Sequence, residues 1–244
     1  MATFVLVHGG MHGGWCYKPL AQLLRAEGHE VHCPTLTGSG ERSHLRHPGI
    51  TLETHIEDVC NLLFYEDLHD VYLAGHSYGG MVIIGVADRA LGRVGHLVFL
   101  DASHPKDGEA LTDVAPGMMG MAGKFKKTID SCEVVELPED IGRPNFGFTD
   151  DDLWAFAGPR LTPQMWSCFT SKLSLNNEEA VRALPRTSIN CTETLAKRPP
   201  ELVHRATEAD HVFEIDTGHA LMLSETRKVA DMLLEVVAKE AAAR

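Results

Sequence analysis

The sequence predicts an α/β protein with a mostly parallel sheet flanked by helices and a largely helical cap inserted after the strand that ends near Asp101. Two observations predict this class. Short apolar runs alternate with segments of helical periodicity, which is typical of strands joined by helical crossovers. One long segment then interrupts the alternation. We therefore expect a core of residues 1–103 and 186–244, and a cap of residues 104–185.

The elements of the core follow from apolar runs bounded by turn residues and from apolar side chains at helical spacing. Strands are predicted at residues 4–7, 31–33, 71–74, 97–100, 188–191 and 212–215. Helices are predicted at residues 17–26, 52–63 and 80–91, and a last helix carries apolar positions from 229 to 237. Gly28 closes the first helix and Thr51 caps the second.

The cap segment carries helical patches, glycines and prolines, but no clear strand. So long an insertion between two sheet strands is too large for a loop, and we interpret it as a cap over one edge of the sheet. It contains Trp154 and Trp166, which are predicted to line the substrate pocket. Together with the methionines of the segment, these side chains suggest an apolar or aromatic substrate.

Composition and charge argue against several classes of partner. The formal net charge is −12, and the one basic cluster at 124–127 is short, so no nucleic-acid partner is expected. No apolar run is long enough to span a bilayer, and the first predicted strand leaves no room for a signal peptide. The six cysteines are scattered without a C-x-x-C pair, which is typical of reduced thiols in a cytoplasmic protein.

The sequence contains 14 histidines, a number that raises the question of a metal site. The nearest one, at residues 29–32, is one residue short of H-E-x-x-H and lies in a predicted strand, where the two rings would point to opposite faces. No metal site is predicted.

The strongest chemical signal is the segment Gly75-His76-Ser77-Tyr78-Gly79, which places a serine between two glycines. An apolar run precedes it and another follows it. A G-x-S-x-G between a strand and a helix is the nucleophile elbow of α/β-hydrolases, where the residues two before and two after the serine must be small. Ser77 is therefore predicted to be a nucleophile at a forced turn rather than an idle serine in a glycine-rich connection.

A serine hydroxyl needs a base to take its proton. His219 lies on a glycine-containing loop just past the last predicted strand, and a serine early in the chain with a histidine late in it is the order of this fold's triad. Backbone amides are needed where an anion develops. The predicted donors of this oxyanion hole are the amide of Gly10, in the glycine-rich segment after the first strand, and the amide of Tyr78.

Three segments, FVLVHGGMHGGW, LAGHSYGGM and DTGHALML, resemble the α/β-hydrolase subfamily that includes plant methylesterases, hydroxynitrile lyases and bacterial carboxylesterases. The resemblance covers residues 3–105 and 186–237, and covers the cap poorly. It implies a Ser-acid-His esterase without a cofactor. The lyases carry a threonine in the oxyanion loop and a lysine after the histidine, where this sequence has Gly9 and Ala220. An esterase is therefore favoured.

The acid of the triad is open between two residues. Plant methylesterases place an aspartate in a Cys-Thr-Glu-Asp-like run, and Thr194 stands at that place here. Glu193 is the first alternative, although a step of one residue along a strand end changes the direction of the side chain. Asp101 is the second, because it follows the strand after the nucleophile helix and would end on the same sheet edge as Ser77. Geometry favours Asp101.

The sequence thus predicts hydrolysis of a small, apolar or aromatic carboxylic ester, or a lactone or thioester, through an acyl-serine intermediate. The expected partner is this small-molecule ester substrate, with no nucleic acid, no membrane and no cofactor, while the oligomeric state is left open. A hydroxynitrile lyase or a cofactor-free oxygenase on the same fold is an alternative, with His219 and Asp101 as a base dyad. A ligand receptor with a hydrolase-like pocket is an alternative of another class.

Overall fold

The structure is a computed structural model that describes residues 1–243. Six parallel strands form its central sheet, in the order β2-β1-β3-β4-β8-β9, and three antiparallel strands form a small second sheet, β5-β6-β7. The strands are β1 (Thr3–Val7), β2 (Glu30–His32), β3 (Val71–His76), β4 (Val94–Leu100), β5 (Lys126–Ile129), β6 (Cys132–Val135), β7 (Gln164–Met165), β8 (Arg186–Cys191) and β9 (His211–Ile215).

Helices cover the central sheet and fill the segment between β4 and β8. They are α1 (Lys18–Ala26), α2 (Leu52–Tyr65), α3 (Gly79–Arg89), α4 (Leu111–Val114), α5 (Pro116–Ala122), α6 (Glu139–Asn145), α7 (Asp151–Ala157), α8 (Trp166–Thr170), α9 (Glu178–Arg182), α10 (Thr192–Leu195), α11 (Pro200–Thr207), α12 (Leu221–Ser224) and α13 (Thr226–Ala243). In the part of the chain that the structure describes, no helix combines the length and the apolar character that crossing a bilayer requires.

The central strands are buried on both faces, which explains their nearly continuous apolar sequences. Every residue of β3 is buried, as are residues 4–7 of β1. Helix α3, which follows β3, buries each of its residues from Gly79 to Ala87. The predicted fold class, a mostly parallel sheet flanked by helices, is confirmed, and each predicted strand of the core lies within a few residues of an observed one.

The carboxyl ends of the central strands meet at one edge of the sheet, which is where the loops with the candidate site residues emerge. The register pairs Val7 with Gly75, His76 with Leu100, and Cys191 with Ile215. Because all of these strands run in parallel, the residues that follow β1, β3, β4 and β9 come to the same side of the molecule. Open parallel sheets bind ligands at this edge.

The segment 104–185 differs from the sequence-based expectation, because it contains the three-stranded sheet as well as six helices. The hairpin between β5 and β6 turns at Asp130 and Ser131, with φ of 48° and 65°. Those two residues lack the glycine that usually marks such a turn, and β5 is polar and largely exposed. The sequence of the hairpin therefore shows no clear pattern of strands and turn. The division into a core and a cap at residues 104 and 185 stays a prediction.

Candidate active site

Ser77 lies in the tight turn between β3 and α3, with φ of 53° in the left-handed region. The two glycines of the motif have no room for a side chain. A Cβ on Gly75 would lie 2.6 Å from the carbonyl oxygen of Gly79, and a Cβ on Gly79 would lie 2.7 Å from that of Val7. The backbone holds the turn through hydrogen bonds from the amides of Gly80 and Ser103 to the Ser77 carbonyl, both 3.0 Å long. The G-x-S-x-G spacing is thus a steric requirement of this turn.

The structure brings Ser77, His219 and Asp101 together in one hydrogen-bonded row. The distance from Ser77 Oγ to His219 Nε2 is 2.8 Å, and the distance from His219 Nδ1 to Asp101 Oδ2 is 2.5 Å. With its proton on Nδ1, the imidazole donates to the carboxylate, and its Nε2 accepts the serine hydroxyl hydrogen. This is the geometry in which a serine can be deprotonated during attack.

Asp101 is a buried carboxylate with φ of 45°, directly after β4. Burial alone raises the pKa of such a group. The hydrogen bond and charge of His219, the charge of Arg198 and the hydrogen bond from Thr194 outweigh burial, and together they hold the pKa of Asp101 well below its ordinary value of 3.8. The group is therefore ionised at neutral pH.

Glu193, the other candidate acid, lies on α10 with its side chain exposed. Within residues 1–243 it makes no hydrogen bond or ion pair with His219. The structure therefore places Asp101, and not Glu193, beside the imidazole. The residue that follows, Thr194, instead points its hydroxyl at the Asp101 carboxylate.

Gly10 and Tyr78 line the same small cavity as Ser77 and His219. In the described part of the chain, neither amide donates to another group. An oxyanion hole requires such unbonded amides beside the serine, and the role of Gly10 and Tyr78 in it stays a prediction.

Buried histidines brace the loop that carries Gly10. His8 donates from Nδ1 to the Gly9 carbonyl at 2.8 Å and accepts from the Leu36 amide at 3.0 Å. His12 donates to the Gly10 carbonyl at 2.8 Å. Burial lowers the pKa of His8 to about 3 and that of His12 to about 4, so both rings are neutral at pH 7.

The cavity at Ser77 is small and mostly apolar, with a volume of about 30 Å³. That volume holds about one or two water molecules. Its wall comes largely from the segment between β4 and β8. The large apolar side chains of that segment in the wall are Leu111, Met118, Met119, Met121, Leu137, Phe146 and Phe169.

The two tryptophans predicted as pocket walls lie elsewhere. Trp154, on α7, lines a neighbouring cavity of about 290 Å³ and donates from Nε1 to Glu139. Trp166 packs edge-to-face on Phe169, with ring centroids 6.0 Å apart, and so lies behind the wall. Neither is among the described residues that line the cavity at Ser77. Helical periodicity gave no sign of which aromatic of this segment faces inward, and Phe169 was missed for the same reason.

Histidine, cysteine and carboxylate side chains are the groups that could hold a metal ion. Over residues 1–243, no group of three or more histidine, cysteine, aspartate or glutamate side chains is placed to bind one.

A parallel sheet with a serine at a forced strand–helix turn, and a histidine past its last strand, is the architecture of the α/β-hydrolase fold. Comparison with known proteins gives the same fold family. The chain belongs to the alpha/beta hydrolase family, whose model matches residues 4–232.

Similar proteins include esterases. Over 116 residues the chain is 55% identical to a carbendazim hydrolyzing esterase from Nocardioides sp. (strain SG-4G), and the match spans 48% of each protein. Over 97% of its length it is 28% identical to a norfluorocurarine synthase from Strychnos sp, of which it covers 95%. A methylesterase from Arabidopsis has the same fold, with a TM-score of 0.78 at 21% identity, over 98% of this chain and 99% of that one. The subfamily resemblance of the sequence motifs is confirmed.

Proposed function

We propose that the protein is a carboxylic ester hydrolase that cleaves a small, apolar or aromatic ester through an acyl-serine intermediate. The observation that carries this proposal is the row of Ser77, His219 and Asp101, with distances of 2.8 Å and 2.5 Å between the bonded atoms. The named esterase among its relatives supports the type of reaction.

In the first step, Ser77 Oγ attacks the carbonyl carbon of the ester while His219 Nε2 takes the hydroxyl proton. A new C–O bond forms, and the electron pair of the carbonyl π bond moves to the oxygen. The amides of Gly10 and Tyr78 donate to this oxyanion. Asp101, which is negatively charged, stabilises the imidazolium that has formed.

In the second step, the tetrahedral intermediate collapses, the bond to the alcohol oxygen breaks, and His219 Nε2 gives its proton to the leaving alcohol. The acyl group is now bound to Ser77. A water molecule then attacks the acyl carbon with His219 as the base, and collapse of this second intermediate releases the carboxylic acid and returns the proton to Ser77.

The lining of the cavity supports the substrate class. Methionine and phenylalanine side chains surround Ser77, so an apolar or aromatic acyl or alcohol group gains free energy by leaving water there. Methionine also adapts its shape to different ligands. Lactones and thioesters present the same carbonyl carbon to the serine and belong to the same proposal.

A cytoplasmic location is part of the proposal. All six cysteines are free thiols in the structure. Proteins of oxidising compartments more often pair such residues in disulfides.

The test compares wild type, Ser77→Ala and the control Ser174→Ala, an exposed serine, on p-nitrophenyl acetate. We expect kcat to fall by a factor on the order of 10⁴ in Ser77→Ala, because the nucleophile is absent, and to stay unchanged in the control. Equal hydrolysis by Ser77→Ala and wild type would overturn the serine mechanism. Cyanide release from mandelonitrile without ester hydrolysis would instead identify a lyase.

A further inference from the structure

The Asp101 carboxylate has polar partners other than His219, and they lie at the end of β8 and in the chain just after it. Thr194 Oγ lies 2.6 Å from Oδ1 and 2.7 Å from Oδ2. Arg198 Nη2 lies 2.9 Å from Oδ1. The amide of Cys191 also points at Oδ1, at 3.4 Å. A carboxylate with no exposed surface has no water to share, so these groups decide how it is oriented.

The two oxygens of Asp101 have different roles. Oδ2 accepts from His219, while Oδ1 accepts from Arg198. The guanidinium thereby fixes the rotation of the carboxylate about its last bond, and leaves Oδ2 directed at the imidazole. Arginine suits this role because its donors are held in a rigid plane. Its side chain is 19% exposed, so the pair is screened only weakly by solvent.

Thr194 bridges both oxygens from α10, the one-turn helix that follows β8. Its hydroxyl could also donate to the Cys191 carbonyl at 3.0 Å. A hydrogen bond to an ionised carboxylate is stronger than one to a neutral carbonyl, so the proton goes to Asp101.

From this geometry we propose that Thr194 and Arg198 are positioning residues of the reaction, which hold the Asp101 carboxylate with Oδ2 facing His219. This inference rests on the proposed function, because it assigns a role within the same row of residues. Neither residue touches the substrate cavity.

Arg198 also affects the charge balance of the site. An imidazolium at His219 shares the Asp101 carboxylate with the guanidinium, and the two cations repel each other. Among the described residues, Arg198 is the one permanent cation in contact with this carboxylate. Its removal therefore takes away a repulsion that acts on a positive charge at His219, which must be neutral to act as a base.

Four other titratable groups lie around Asp101, His219 and Arg198. They are His76 on β3, His12 after β1, His104 after β4, and Cys191 at the end of β8. Burial lowers the pKa of His76 well below its usual range, that of His12 to about 4 and that of His104 to about 3. Burial raises the pKa of Cys191. All four are uncharged between pH 5 and 9, so they do not titrate where the activity profile is read.

The experiment measures kcat, KM and the pH profile of kcat/KM with p-nitrophenyl acetate. Thr194→Val removes the hydroxyl at nearly constant volume, and we expect kcat to fall about tenfold with KM unchanged. Thr194→Ser keeps a hydroxyl and should restore most of the rate. The control is Thr192→Val, in the same short helix as Thr194. It removes a hydrogen bond to Asp216 and leaves the contacts of Asp101 intact.

For Arg198→Gln we expect a lower kcat and an acid limb of kcat/KM displaced to higher pH, because a positive charge beside the shared carboxylate is removed. The control Lys197→Gln removes a neighbouring exposed charge and should leave the acid limb unchanged. A merely structural role would lower the melting temperature of the variants without moving the acid limb.

Wild-type kcat in Thr194→Val together with a wild-type acid limb in Arg198→Gln would overturn this inference. The result is separable from the proposed function. If Ser77→Ala is inactive while the Thr194 and Arg198 variants behave as wild type, only the positioning roles fail. If Ser77→Ala remains active, the proposed function fails first.

Discussion

Asp101 precedes His219 by 118 residues in the chain, yet its Oδ2 lies 2.5 Å from the Nδ1 atom of that imidazole. The two residues follow β4 and β9, which are separated in the sheet by β8. The loop after β9 therefore has to return across the end of β8. His76 holds it there by donating from Nε2 to the His219 carbonyl at 2.8 Å.

This contact predicts which carboxylate the enzyme uses. Asp101→Asn keeps the size of the side chain but removes its charge. We expect kcat on p-nitrophenyl acetate to fall by a factor of about 10³ to 10⁴. The amide no longer holds the His219 proton on Nδ1, and it no longer stabilises the imidazolium. Glu193→Gln is the matched control and should keep wild-type kcat. The reverse pattern, with Glu193→Gln inactive, would transfer the acid role to Glu193.

The turn at Ser77 predicts a large stability difference between two glycine substitutions. A Cβ on Gly80 would lie 2.1 Å from the Ser103 carbonyl oxygen, so we expect Gly80→Ala to lower the free energy of unfolding by about 3 kcal/mol or more. Gly117 on α5 has open space around it, and Gly117→Ala should raise stability by about 0.5–1 kcal/mol. Urea unfolding measures both, and equal stabilities would show that the turn can relax.

The buried histidines predict a loss of stability in acid. His104 stacks on Phe99 with centroids 4.0 Å apart, and burial together with nearby arginine charges lowers its pKa from 6.5 to about 3. Below pH 6.5, His104 binds a proton in the unfolded chain but not in the folded protein. The contribution to stability is therefore complete above pH 6.5, and is lost as the pH falls towards 3.

His104→Phe should keep the stack and remove this titration. Between pH 6 and 4, we expect the slope of unfolding free energy against pH to decrease by about 1.4 kcal/mol per unit. Urea unfolding at several pH values gives the slope, with His204→Phe, at an exposed histidine, as the control. An unchanged slope in His104→Phe would mean that the ring already binds its proton in the folded protein.

The cavity wall predicts a change of specificity. Met119 is 5% exposed and lines the cavity at Ser77. Met119→Ala should raise kcat/KM for p-nitrophenyl butyrate relative to the acetate by about fivefold, because the added space accepts a longer acyl chain. Met165→Ala truncates a buried methionine outside this wall and controls for lost packing. Equal ratios in both variants would place the acyl group elsewhere.

The parts of the fold that sequence could predict are those with local signals. Buried parallel strands have sequences that are short apolar runs. The turn at Ser77 requires two glycines at a fixed spacing. His219 could be identified because it follows the last such strand. In each case the physical constraint lies within a few residues of the chain.

The parts that could not be predicted depend on long-range contacts. Thr194 and Arg198 meet Asp101 across 93 and 97 residues, and no local pattern marks that meeting. The β5–β6 hairpin was missed because its turn has no glycine. Trp154 and Trp166 were expected in the wall, but short helices in the segment 104–185 turn smaller side chains towards Ser77.

The methionines beside Ser77 bear on which substrates the site accepts. Met118, Met119 and Met121 of α5 form part of its wall, so the group that fits beside Ser77 depends on how these flexible side chains pack.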